Sequence, residues 1–207
     1  MSLDFIKDID KSVVILSTPR TGSTALCRVL SDKCNLLYCN EVFHLDVNPA
    51  HIKSFWHYFN NNVKTAIKIF PNHHSQFTED EFDKIINNSF VIFLERLDIA
   101  QQITSYHILS RTNKASYGKN EKTKDYLVDE DEISVSVSNI LKLREDAEKY
   151  RKLANITLCY EDIINDIVND HIKEYHKPVN YSSLKLKVDE VLSNFLKLKQ
   201  KHERSTC

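Results

Sequence analysis

The run VVILSTPRTGSTALCRVL, residues 13–30, constrains the fold more than any other stretch. It opens with four apolar residues and no polar alternation, which suits a strand buried on both faces. A polar hinge follows, and the apolar spacing then turns helical. In the hinge stands Gly22, one of two glycines in 207 residues. A chain so sparing of glycine places one where the backbone must turn sharply. FVIFL at 90–94 is a second fully apolar run.

Strand patterns are predicted at 13–17, 65–70, 90–94 and 156–160, with a weaker one at 35–39. Helical spacing fills the gaps, at 22–33, 49–61, 78–87, 98–112, 133–153 and 183–202. Pro49 suits a first helical turn, and Thr78 with Glu81 reads as a capping box. Strands alternating with helices predict an α/β fold, three-layered and P-loop NTPase-like, with a central parallel sheet of about five strands. The length fits one domain over 1–207. Residues 113–132 are expected to form one long polar loop, and the charged tail after Lys197 is expected to fray.

The charges nearly cancel, with 28 Lys+Arg against 29 Asp+Glu. Nucleic acid and anionic membranes are therefore not expected partners, and an anion must be held by local groups. No run reaches the length of a membrane span, and MSLDFIKDIDKS lacks the apolar core of a secretory signal. Five cysteines, Cys27, Cys34, Cys39, Cys159 and Cys207, show no metal-ligand spacing and read as free thiols of a cytoplasmic protein.

A strand ending in a tight loop that opens a helix aims several backbone N–H groups at one point. Thr21, Gly22, Ser23 and Thr24 are the candidate anion-binding residues. The loop lacks the Gly-Lys-Ser/Thr of an ATPase, because Ser23 stands where the lysine would be. The nearest cation is Arg20.

TPRTGSTAL resembles the 5′-phosphosulfate loop of sulfotransferases that use 3′-phosphoadenosine 5′-phosphosulfate (PAPS). Its arginine form is similar to the tyrosylprotein and trehalose-sulfotransferase-like groups. Further on, FVIFLERLDIAQQITSYHILSR carries Arg96 at a strand's end and Ser105 nine residues later. The resemblance implies that Arg96 and Ser105 hold the 3′-phosphate, with Arg111 a further candidate. ITLCYEDI at 156–163 is similar to a late strand of that fold with a structural role, so Tyr160, Glu161 and Asp162 are kept outside the site. A third phosphate contact is unassigned, with Lys119 a candidate.

Transfer to a hydroxyl needs a base, cationic stabilisation of the leaving phosphate, and in-line placement. Glu41, 21 residues after Arg20, matches the position of the catalytic glutamate in the tyrosylprotein group. Beside an anionic donor its pKa is expected to rise. His44 is the alternative base. Arg20 is expected to stabilise the leaving 5′-phosphate, and Lys68 to face the sulfuryl group. His73 and His74 read as surface residues, and no metal is expected. Phe55 and Phe59 fall at helical spacing and read as core.

The implied activity is sulfuryl transfer from PAPS to a sugar, tyrosine or small metabolite, leaving adenosine 3′,5′-bisphosphate. A homodimer is compatible with the chain. The competing readings are a P-loop kinase or nucleotide hydrolase, and a non-catalytic nucleotide-binding protein.

Overall fold

The β1 strand, Ser12–Ser17, is buried along its whole length and alternates between two cores. Val13 and Ile15 enter one apolar cluster, and Val14 and Leu16 enter another. A strand covered on both faces needs partners on either side, and β1 pairs in parallel with β3 (Thr65–Ile69) and β4 (Ser89–Glu95). With β2 (Leu37–Asn40) and β5 (Ile156–Cys159) at the edges, the order is β2-β3-β1-β4-β5, all parallel. The computed structural model describes Leu3, Ile6 and residues 9–112, 129–171 and 181–205.

Helices α1 (Ser23–Lys33), α2 (Pro49–Asn60), α3 (Glu79–Asn87), α4 (Ile99–Thr112), α5 (Glu130–Glu148), α6 (Tyr160–His171) and α7 (Tyr181–Ser205) complete the described chain. Leu26, Leu30 and Ile163 of α1 and α6 pack on the Val13/Ile15 side of the sheet. Phe55 and Phe59 of α2, and Phe82 and Ile85 of α3, pack on the other. This is the expected three-layer α/β, P-loop-like arrangement. Pro49 opens α2 after an Asn48 cap, and the Thr78/Glu81 capping box forms.

The described chain divides into two compact units. One takes in the described residues up to Leu97 and 143–171, and the other takes in 98–112, 129–142 and 181–205. Three expectations on the elements need correction. α5 starts at Glu130, before the predicted 133, because Asp129 accepts from the N–H groups of Asp131 and Glu132 and caps it. The α6 helix follows β5 with no linker, where the sequence suggested only strand. The last helix runs to Ser205, past the predicted fraying point. Lys119, with residues 113–128 of the expected loop, and Cys207 lie outside the described residues. Cys27, Cys34, Cys39 and Cys159 are free thiols. Among the described residues no helix is long and apolar enough to cross a membrane.

The second unit is built on Ile103 of α4, Ile133 and Val137 of α5, and Leu184 and Val188 of α7. Inside it His107 is 1% exposed, with Nδ1 3.1 Å from the Ser136 hydroxyl. Burial, then the positive Arg111, push its pKa below the usual 6.5, against a smaller pull from Asp129. The unfolded chain therefore binds this proton more readily. The neutral side chain favours folding fully above pH 6.5, and that advantage is lost as pH falls below it. Amide protection factors in α4, corrected for the intrinsic pH dependence of exchange, are expected to fall between about pH 7.5 and 5.5, and less so in His107→Gln.

Candidate functional site

The turn after β1 contains two left-handed residues, Arg20 at φ 66° and Gly22 at φ 84°. The left-handed region costs a non-glycine residue about 1–2 kcal/mol, so position 20 stores strain. Two ties hold it. The Thr21 hydroxyl, fully buried, donates to the Thr18 carbonyl at 3.0 Å. The Arg96 guanidinium donates to the Arg20 carbonyl at 2.9 Å. Gly22 then precedes α1, and as its N-cap it offers no side chain to the first N–H groups of that helix. Uncapped amides at a positive helix end form a concavity suited to an anion.

Lys68 reaches this helix start from β3. Side chains alternate along a strand, so Lys68 shares the face of Ala66, which packs in the same core as α1. Its ammonium, 5% exposed, donates to the Thr24 hydroxyl in the first turn of α1 and lies 2.8 Å from Glu41 Oε2. The Phe70 ring lies 5.2 Å from it. A buried cation thus stands beside the loop that lacks a lysine of its own.

Glu41 is delivered by an irregular strand end. The β2–β3 register slips between Tyr38 and Asn40, and Asn40 takes φ 49°. Such a bulge re-aims the next residue. Its Oε1 lies 3.4 Å from Nε2 of His73. His73 belongs to a 3-10 turn, Pro71–Gln76, and its Nδ1 accepts the Phe70 N–H at 3.3 Å. That bond assigns the ring proton to Nε2, facing the carboxylate. His44 approaches His73 edge-on at 5.9 Å, and its Nδ1 is 3.6 Å from Asp46.

Two expectations fail here. His73 is fully buried rather than on the surface, held between Phe70 and the Glu41 carboxylate. The pKa of Glu41 moves down, not up. Burial raises it, but the nearby Nε2–H of His73 and the charge and hydrogen bond of Lys68 outweigh burial and bring it to about 2. The sign follows: folding favours the ionised form, a contribution present above the ordinary 4.5 and lost as pH falls towards about 2. In urea unfolding, the stability gap between wild type and Glu41→Gln is expected to narrow across that interval.

Tyr160 packs on the loop, and Glu161 supports it from behind through Arg96. A Cβ at Gly22 would overlap ring atoms Cδ2 and Cε2 of Tyr160. The same ring carries the Arg96 guanidinium 4.6 Å above it. Glu161 accepts the Leu97 N–H at 3.0 Å and approaches Arg96 Nε at 4.0 Å. Arg144 donates to the Arg96 carbonyl at 2.9 Å. Arg96, 8% exposed, is thus packed into the support of the loop.

The first unit therefore gathers Arg20, Thr21, Gly22, Ser23, Thr24, Glu41, Lys68 and Arg96, with His44 behind His73. Ser105 and Arg111 lie on α4, in the second unit, where Arg111 pairs with Glu132. Among the described residues no group of three His, Cys, Asp or Glu side chains is arranged to hold a metal. Chemically, the site offers an anion cradle, a buried ammonium on its rim, and a carboxylate bonded to that ammonium.

No protein-family model matches the chain. No curated protein matches it either. Among solved structures, the SH3-kinase fragment of tight junction protein 3 in apo-form aligns at 12% identity with a TM-score of 0.34. The alignment covers 78% of this chain and 58% of that one, so this chain spans less than two thirds of its length. At that score the likeness does not bear on function.

Proposed function

We propose that the protein is a PAPS-dependent sulfotransferase acting on a hydroxyl acceptor. The observation that carries the reading is the continuous contact Thr24–Lys68–Glu41, which joins an anion cradle to a carboxylate through one buried cation. PAPS, when bound, supplies a sulfuryl group on an activated oxygen, with the 5′-phosphate as leaving group. The backbone N–H groups from Gly22 to Thr24 would hold that phosphate, and the strained, tied loop keeps them aimed without reorganisation. Lys68 would balance negative charge there, and Arg20 is the second cation of the loop. Glu41 would receive the acceptor's proton. Arg96 is proposed to read the 3′-phosphate. Four described free thiols accord with the reducing compartment that the reading assumes, the cytoplasm.

The test is calorimetric. Adenosine 3′,5′-bisphosphate is expected to bind more tightly than AMP or ATP, and equal binding of all three removes the sulfotransferase reading. One observation favours a second reading. Lys68 brings to Thr24 the cation that a kinase or nucleotide hydrolase would carry within its loop. Mg²⁺-dependent ATP turnover by purified protein, abolished in Lys68→Met, would support that reading instead.

A further inference from the structure

We infer that an anion bound at the loop switches Glu41 from a spectator carboxylate into a base, by drawing Lys68 away from it. The inference rests on the anion-site part of the proposed function, and not on which nucleotide supplies the anion.

The geometry gives Lys68 two claims on its charge. Its ammonium holds the Thr24 hydroxyl and Glu41 Oε2 at once. An anion seated on the first N–H groups of α1 lies within reach of the same ammonium and competes with Glu41 for it. The groups around Glu41 are few. Lys68 faces it from β3, and His73 from the 3-10 turn. Tyr38 on β2 senses its charge and is itself bonded to Arg28 of α1 at 3.4 Å. His44, on the same loop, stands behind His73. Of these, Lys68 is the fixed cation in direct contact with the carboxylate.

A second feature points the same way. His73 is 0% exposed, and its Nε2 makes no hydrogen bond of good geometry among the described residues, although Glu41 Oε1 lies 3.4 Å away. A buried donor left short of its acceptor is costly, and a small shift of the carboxylate towards His73 would satisfy it. Release of Oε2 by Lys68 permits that shift. Oε1 then takes the Nε2–H bond, and Oε2, vacated by Lys68, is the oxygen that takes up the proton.

In this state Glu41 has lost a cation and gained a negative neighbour, and both changes favour its protonated form. By linkage, anion binding draws a proton from solvent onto Glu41. The same contacts that keep the empty site's carboxylate at a pKa of about 2 thus keep it unreactive until the loop is filled. His73 is a positioning residue, acting through Glu41.

The experiment is titration of the full chain with adenosine 3′,5′-bisphosphate near pH 5.5, in two buffers of different ionisation enthalpy. Wild type is expected to take up roughly half a proton or more per site beyond Glu41→Gln; this difference removes the ligand's own protonation. Equal proton exchange in the two proteins, with binding intact, overturns the switch and leaves the sulfotransferase reading standing. Excess uptake with ATP or pyrophosphate, but no preference for the bisphosphate, keeps the switch and removes that reading. Failure of all three anions to bind overturns both. Infrared difference spectra of wild type guard against misfolding of the variant. A protonated carboxyl band should appear on saturation, and its absence also overturns the switch.

Discussion

Alanine at position 22 is expected to destabilise the first unit by about 2–4 kcal/mol, the sum of left-handed strain and forced overpacking. Gly22 sits at φ 84°, where a Cβ crowds the following backbone carbonyl, and that Cβ would also overlap the Tyr160 ring. The ring cannot simply swing aside, because the Arg96 guanidinium lies over it at 4.6 Å and also donates to the Arg20 carbonyl. Displacing Tyr160 therefore disturbs Arg96, and through it the loop. Urea unfolding of Gly22→Ala, Tyr160→Ala and the double variant separates the two causes. The overlap should vanish in the double variant, giving a positive coupling of about 1–2 kcal/mol, while the backbone strain persists. Strict additivity would show that ring and loop are independent. Anion binding should weaken in Gly22→Ala even where the protein is folded, since the first amides of α1 would be re-aimed.

What could be read from the sequence here was what is local. The β1–loop–α1 unit announces itself through an apolar run, one glycine and a change of period, all within twenty residues. Lys68 was legible for a similar reason, being a lone charge in a strand whose neighbours Ile67 and Ile69 turn to the opposite core. Glu41 was found by its distance from Arg20, but its charge state was not. That state is set by Lys68 and His73, which come from later elements and meet Glu41 only in the folded chain. His73 was read as a surface residue because adjacent histidines usually are. A signal lay in its setting, between Phe70 and Phe77 and directly after a buried strand. The helix α6 was hidden because Tyr160 follows Cys159 with no turn residue between them. The spacing of Ile163, Ile164, Ile167 and Val168 is nevertheless helical. Its consequence for the site was harder to foresee. Tyr160 matters through a contact with Gly22 across well over a hundred residues of sequence, and no periodicity encodes such a contact.

Loss of either partner in the Lys68–Glu41 pair should be severe for both stability and turnover, and the two effects should separate. Lys68 is 5% exposed and Glu41 23%, so Glu41→Gln leaves a buried ammonium with only the Thr24 hydroxyl, and Lys68→Met leaves a carboxylate facing only His73. Stranding a buried charge typically costs about 3–5 kcal/mol, whereas removing both partners costs much less. The double variant Lys68→Met/Glu41→Gln is accordingly expected to be more stable than the weaker of the two single variants. On the proposed function, sulfuryl transfer should follow a different order. Glu41→Gln should lower kcat by on the order of 10²–10⁴ with adenosine 3′,5′-bisphosphate binding retained, since a base is lost and the cradle is not. Lys68→Met should lower kcat by on the order of 10²–10³ and weaken that binding as well, because the cation that pairs with the carboxylate in the empty site is the one the anion claims. The double variant regains stability and no activity. Recovery of turnover along with stability would mean that the pair only holds the fold, and that the base lies elsewhere, with His44 the first residue to test.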